Sequence, residues 1–332
     1  MPLAKTELFN SVMNLVKNEN DSTDIFEKDS KIIEYLLKNC EITLPEENIF
    51  FIRVNCQDIM GGAIYERANK FGAEVIRQVP DTGIESCAYS GFYDFGHTSP
   101  HWESVIDLGI YGLRCRVAEY AEKYGNDRNK RRLYNYLLRI YDACLVFMKR
   151  CAETAEAHGK TEMAKSIVKL TESNPETLYE AMQTSLIYYN LQHMFDGSNL
   201  RTLGRLDKLF YPYFVKEDKK RATELVSEFI KEADRYKATA NMPFAIGGTD
   251  VNGNTLINEL SYIILDAYKN AGTVYTKLHL LISDTTPEDI VYKAFDCVRN
   301  GCNSIVFMSD KKIIEGLESL VKSIPMLSTT MW

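Results

Sequence analysis

"TVYTKLHLLISDTTPEDIVYKAFDCVRNGCNSIVFMSDKKIIEGLESL", residues 273–320, decides how this chain folds. Its first part, "TVYTKLHLLIS", alternates as a strand does. "TTPEDIVYKAFDCVRNG" then takes helical spacing, with Thr286 and Asp289 placed as a capping box, Pro287 at the opening and Asn300-Gly301 as the stop. "SIVFMSD" reads as the next strand and "KKIIEGLESL" as the next helix. Upstream, "PFAIGG" (243–248) is a short apolar run ended by glycines. "TLINELSYIILDAYKN" (255–270) spaces Leu256, Leu260, Ile263, Ile264 and Ala267 for a helix. This alternation predicts parallel strands, which need helices over their faces and right-handed crossovers.

Before residue 240 the pattern is mostly helical. From Trp102 to about Tyr124, Val105, Ile106, Ile110, Leu113, Val117 and Tyr120 recur at three- and four-residue steps, and Gly125-Asn126 ends the run. A second amphipathic run, from Leu133 to about Ala157, stops at His158-Gly159. A third starts at "NPETLYEAMQ" (174–183), with Asn174 as the cap, Pro175 at the first helical position and Glu176 facing the positive end of the dipole. The fold class is therefore α/β and predominantly helical.

Composition narrows the function. A chain of 332 residues with 45% hydrophobic and 26% charged residues is long enough to bury a large core, or two. A net charge of -7 supplies no basic stripe for phosphates, so nucleic acid is not an expected partner. No apolar run approaches membrane-spanning length, and "MPLAKTELFNSVMNL" does not read as a secretory signal. Eight scattered cysteines without a CxxC pair read as reduced, buried thiols, which points to the cytoplasm.

Three stretches, in this order, resemble one family: "FGHTSPHWESVIDLGIYGL" (95–113), "NPETLYEAMQTSLIYYNLQHMFDGSNLRTLGRLDKLFYPYF" (174–214), and "GGTDVNGNTLINELSYIILDAYKN" running on through "TPEDIVYKAFDCVRNG" to "SIVFMSDKKIIEGL" (247–317). They are similar to the N-terminal portion of glycyl radical enzymes, the pyruvate formate-lyase-like family, and "GRLDKLFYPYF" is the most distinctive piece. The resemblance implies a helical shell plus roughly the first half of a ten-stranded α/β barrel. It divides one domain, 1–332, into a helical portion (1–240), βα barrel units (241–320) and a tail (321–332). In that family a thiyl radical on one central loop abstracts hydrogen from substrate, and a glycine on a second loop stores the radical. A separate iron–sulfur activase installs it, using S-adenosylmethionine.

The expected partners are accordingly a small-molecule substrate, the activating enzyme and a second copy in a homodimer. No cofactor is expected to be bound by the chain itself. The chain departs from the family where the radical cysteine should follow "KKIIEGLESL": "VKSIPMLSTTMW" (321–332) stands there instead. Read one base earlier, permitted codons for 326–332 give Asp-Ala-Ile-Asn-Tyr-His-Val, which resembles the family's approach to its Gly-Cys loop. The expectation is a frameshift near Leu320 and a chain inactive by itself, so no catalytic residue is assigned.

Candidate substrate-binding residues follow from the resemblance. His97, in "FGHTSPHW", borders the pocket in dehydratase-type members, where an imidazole hydrogen-bonds a substrate hydroxyl; the alternative is a histidine satisfying backbone near a helix cap. His97 and His101 are four apart, but with Ser99 or Thr98 as cap and Pro100 opening the helix they share no face. No metal site is expected, and His101 should be exposed. In "DGSNLRTLGRLD" (196–207), Asn199 and Leu200 occupy the positions of the His-Ser pair of diol-dehydrating members, which puts diol dehydration in doubt. Asn199 and Arg201 are the residues to face substrate, Arg201 being suited to a carboxylate. The alternative for both is a solvated loop.

Other motifs read as structural. Arg205 and Asp207 should fix the loop, and "LFYPYF" should pack against helices. "GGTDVNGN" is weak as a phosphate loop, having no GxGxxG and no Lys-Ser/Thr, and the resemblance implies a turn at a barrel strand's end. Cys297 and Cys302 should be packing residues.

Overall fold

The computed structural model describes residues 5–18, 24–51, 59, 99–196, 201–235, 242–272 and 276–323. The chain forms two compact units, Met1–Arg201 and Thr202–Trp332.

The first unit is helical: α1 (Lys5–Lys17), α2 (Ile25–Asn39), α3 (Trp102–Tyr124), α4 (Arg128–Ala157), α5 (Thr161–Leu170) and α6 (Leu178–Asp196). Its core joins Leu8 and Val12 of α1, Ile33 and Leu37 of α2, Phe147 and Cys151 of α4, Ile167 of α5 and Leu191 of α6, all buried. These residues repeat at three- and four-residue steps, so each helix hides one stripe and wets the other.

Several helix starts differ from the sequence reading. α6 begins at Leu178, not Pro175. The Thr177 Oγ1 atom accepts from the Glu180 amide at 3.2 Å, while Glu180 Oε2 accepts from the amides of Thr177 at 3.3 Å and Glu176 at 2.8 Å. This reciprocal Thr–Glu cap satisfies more of the orphan donors than Asn174 could. α3 starts at Trp102, capped by the His101 ring, whose Nδ1 accepts from the Ser104 amide at 3.2 Å; neither Ser99 nor Pro100 opens it. α3 is also kinked. Gly109 sits at φ 61°, ψ -177°, and a Cβ there would lie 3.1 Å from Pro175 Cδ, so this turn needs glycine twice over.

The second unit contains the short α7 (Leu206–Leu209) and α8 (Tyr211–Phe214), then α9 (Lys219–Arg235), β1 (Phe244–Gly247), α10 (Glu259–Ala271), β2 (Leu278–Ile282), α11 (Glu288–Arg299), β3 (Ile305–Ser309) and α12 (Asp310–Ser323). The three strands form one parallel sheet in the order β1-β2-β3, with Phe244 opposite Leu278 and Leu278 opposite Ile305. The predicted βαβαβα order therefore holds. Phe244, Ile246, Leu278 and Leu280 are buried, as strands covered by helices require. The aromatic "LFYPYF" segment packs as expected, Phe210 meeting Phe229 of α9 edge-to-face at 5.5 Å.

The predicted Thr286–Asp289 box does not form. Thr286 Oγ1 instead accepts from the Ser283 amide at 2.9 Å, and the Asp289 carboxylate accepts from the Tyr262 hydroxyl at 2.9 Å. The reciprocal box is at α10, where Asn258 caps and Ser261 returns the bond. Beyond β3, no further strand is paired among the described residues. Val306 and Phe307 of β3 and Leu317 and Leu320 of α12 are exposed apolar side chains.

Candidate functional site

Parallel sheets bind ligands outside the carboxyl ends of their strands, and the second unit places a polar cluster there. At the end of β1 the chain turns through Gly247 and Gly248, both with left-handed φ (77° and 82°). Asp207, from the "GRLD" motif, is fully buried. Its Oδ2 accepts from the Gly247 amide at 2.8 Å and the Ser261 hydroxyl at 2.6 Å. Asn258 Nδ2 donates to the Asp207 carbonyl at 3.0 Å. Burial pushes the Asp207 carboxyl up to about 6, against the opposing pull of the Ser261 and Gly247 hydrogen bonds and the Arg205 charge. Its Oδ1 has no hydrogen-bond partner among the described residues.

Arg205 pairs its backbone with Ala245 beside β1, and its Nη1 donates to the Thr249 carbonyl at 3.4 Å. Asp310, the first residue of α12, is buried, and its Oδ2 accepts from both the amide and the hydroxyl of Thr249, at 2.8 and 2.7 Å. Arg205 and Asp207 thus fix the end of β1, where the sequence reading had them fix the loop. Asp310 was not singled out in the sequence, because nothing local in "MSDKK" shows a contact 61 residues away. The following "TDVNGN" is a turn: Asp250 accepts from the amides of Asn252 and Asn254 and the side chain of Asn254, bonds that hold its carboxyl below the usual range.

In the first unit, a cavity of about 260 Å³ is lined by Ser99, His101 and Ser104 at the start of α3, with Arg116, Tyr141, Tyr188 and Gln192. Burial raises both phenols, so they remain neutral hydrogen-bonding groups. The Gln192 Oε1 atom is buried without a hydrogen-bond partner among the described residues. Arg116 Nη1 donates to Ser104 Oγ at 3.3 Å.

Of the residues singled out in the sequence, Arg201 is buried, only 3% exposed, so the solvated-loop alternative does not hold for it. Its positive charge offsets part of the burial effect on the Tyr188 phenol. His97 and Asn199 lie outside the described residues. His101 is exposed and serves as the helix cap. Cys297 and Cys302 are buried packing residues with thiols pushed up by burial; the thiols donate weakly to the carbonyls of Leu265 and Lys269, at 3.7 and 3.9 Å. Among the described residues no three His, Cys, Asp or Glu side chains cluster to hold a metal ion. No described helix is long and apolar enough to cross a membrane.

The chain resembles solved structures over nearly its whole length. A glycyl radical enzyme from Archaeoglobus fulgidus matches with a TM-score of 0.75 at 15% identity, covering 96% of this chain and 51% of that one. Hydroxyproline dehydratase from Clostridioides difficile, with trans-4-hydroxy-L-proline bound, matches with a TM-score of 0.76 at 17% identity, covering 94% and 50%. The fold is therefore a helical portion plus part of a glycyl-radical-type barrel. Among curated proteins, the chain is 26% identical over 217 residues to trans-4-hydroxy-L-proline dehydratase of Clostridioides difficile, covering 55% of this chain and 27% of that protein. It is 21% identical over 284 residues to (2S)-3-sulfopropanediol dehydratase of Klebsiella oxytoca, covering 74% and 33%. It thus spans about half the length of the solved relatives and a third or less of the curated ones. The sequence profile described as pyruvate formate lyase-like matches residues 60–324. By that match, which takes in both the α3–α6 helices and every βα unit, the chain belongs to the pyruvate formate lyase-like family.

Proposed function

We propose that these residues are the helical and first-strand portion of a glycyl radical enzyme of an anaerobic cytoplasm. It acts on a small polar metabolite that carries a carboxylate. The reaction class is radical cleavage of a C–C, C–O or C–N bond. Arg201 holds the carboxylate, while His97 and Asn199 offer hydrogen bonds to the substrate's other polar groups.

The observation that carries this reading is the burial of Arg201, at 3% exposure. A guanidinium that has left water is suited to fixed, charge-assisted recognition of a carboxylate. The match to a protein named for trans-4-hydroxy-L-proline, a carboxylate-bearing compound, supports the same class. A diol is disfavoured, because Asn199-Leu200 stand where diol-dehydrating members carry His-Ser.

The thiyl and glycyl centres come from residues other than these. Five of the six described cysteines are buried, and burial raises the thiols of Cys144, Cys151, Cys297 and Cys302. In this reading the 332 residues alone turn nothing over.

Anaerobic treatment with a radical S-adenosylmethionine activase is expected to give no glycyl doublet in electron paramagnetic resonance. A doublet from this chain alone overturns the assignment. For substrate class, calorimetric titration with trans-4-hydroxy-L-proline should show binding that Arg201→Gln weakens about tenfold. Equal binding by the variant removes Arg201 from the site.

A non-catalytic scaffold derived from the same family is the second reading, favoured by the two self-contained units. A monodisperse, cooperatively melting chain would support it. Aggregation through the uncovered Val306, Phe307 and Leu320 would support a barrel portion that needs the rest of its strands.

A further inference from the structure

A cavity of about 570 Å³ lies in the first unit between α2 and the N-terminal half of α4. Its α2 wall precedes residues 60–324, so it is partly built by sequence outside the family match. Its volume suits a small organic ligand.

The walls divide by chemistry. Phe26 of α2 and Leu133 of α4 are 55% and 40% exposed, large apolar lining side chains left in water. Phe26 meets the Tyr136 ring edge-to-face at 5.2 Å, which continues the apolar surface inward. Tyr136 itself is only 7% exposed and lines the cavity, yet its hydroxyl has no hydrogen-bond partner among the described residues. An unpaired buried hydroxyl is destabilising, and a ligand atom that reached it would relieve the cost.

The charges are unequally engaged. Of the two lining carboxylates, Asp24 ion-pairs with Arg132, and Glu27 ion-pairs with Lys31 at 2.7 Å. Lys130 lies over the Tyr124 ring at 5.1 Å. Arg139 instead donates to the buried Ser30 hydroxyl at 3.2 Å, and that hydroxyl donates to the Glu27 carbonyl at 3.0 Å. Arg139 is thus held by a neutral hydrogen-bond partner, with its charge also felt by the Glu27 carboxylate, and it stands beside a phenol whose hydroxyl is unpaired. Such a pair complements a single negative charge.

We propose that this cavity binds a small amphipathic monocarboxylate, its carboxylate on Arg139 and the Tyr136 hydroxyl and its apolar body against Phe26 and Leu133. The proposal stands whether or not the reading of the radical chemistry holds. Its occupant would tie α2 to α4 and so raise the stability of the first unit.

The test uses the 332-residue chain and 3-phenylpropionate, with the neutral 3-phenylpropionamide as control. Calorimetry should show saturable binding of the acid at millimolar concentration or below and none of the amide. Arg139→Gln and Tyr136→Phe should each weaken binding about tenfold, while Arg139→Lys should weaken it less than Arg139→Gln. Absence of saturable binding to the wild-type chain, equal binding of the amide, or full affinity in Arg139→Gln overturns the proposal. Because a variant can misfold, a photoreactive analogue of the acid is applied to the wild-type chain as well. Labelling of peptides from α2 and α4 supports the site, and labelling elsewhere overturns it.

Discussion

Asp207 and Ser261 are joined by a 2.6 Å hydrogen bond from the serine hydroxyl to the aspartate Oδ2, which also takes the Gly247 amide at 2.8 Å. One buried carboxylate therefore pins the start of α10 to the end of β1. Its cost is set by its surroundings: taking the charge out of water raises its pKa from near 3.8 to about 6. The folded state thus holds this proton more tightly than the unfolded chain.

A raised carboxyl stabilises the fold below the unfolded value and loses that contribution as pH rises through the folded one. Stability should therefore fall by about 2 kcal/mol between pH 4 and pH 6.5 through Asp207 alone. Urea unfolding of the wild type and of Asp207→Asn across this range checks it. The asparagine variant, which does not titrate, should lack that part of the slope. Parallel slopes in the two proteins refute the assignment.

Gly247 has a left-handed φ of 77°, and a Cβ there would lie 2.7 Å from the Leu281 carbonyl oxygen of the neighbouring strand. Both the backbone conformation and the close approach exclude a side chain. Gly247→Ala should cost about 2–4 kcal/mol and speed hydrogen exchange along β1 and β2. An alanine variant with unchanged exchange would show that the sheet end can shift to admit it.

Asp310 and Thr249 form a two-bond link at the end of the sheet. Asp310→Ala should cost about 2–3 kcal/mol, and Thr249→Val about 1 kcal/mol. The double variant should be less destabilised than the sum, since both single changes remove one of the same bonds. Simple additivity in urea melts would deny the link.

Glu180 closes the start of α6 and also binds Lys169 at 2.9 Å. Glu180→Ala should cost about 1–3 kcal/mol, whereas Lys169→Ala should cost less than 1 kcal/mol, because Lys169 is half exposed. Thermal melts at two salt concentrations separate them, the lysine effect alone shrinking as salt rises.

Several elements were legible because their signals are local. Spacing of apolar residues placed α3, α4, α10 and α11 within a few residues of where they lie, and glycines marked the ends of α3, α4 and α11. Errors fell at helix starts. Asn174-Pro175 and Thr286-Pro287 are each a good opening by composition, but a cap is decided by which side chain reaches the free amides. At α6 that was the Thr177–Glu180 pair, a signal present in "TLYE" three residues further on. At α11 the Tyr262 hydroxyl drew Asp289 away. The kink at Gly109 was hidden for a similar reason, since apolar spacing continues across it and only the approach of Pro175 makes it necessary.

The order of strands and helices, their parallel pairing and the family were determined by the sequence alone, since period, cap and motif are properties of neighbouring residues. Only the tertiary structure decided that Arg201 is buried, that Asp310 returns to Thr249, and that Tyr136 and Arg139 face one cavity with Phe26. Burial and long-range contact depend on how separate helices and strands stack, and no local pattern along the chain encodes the distance between them.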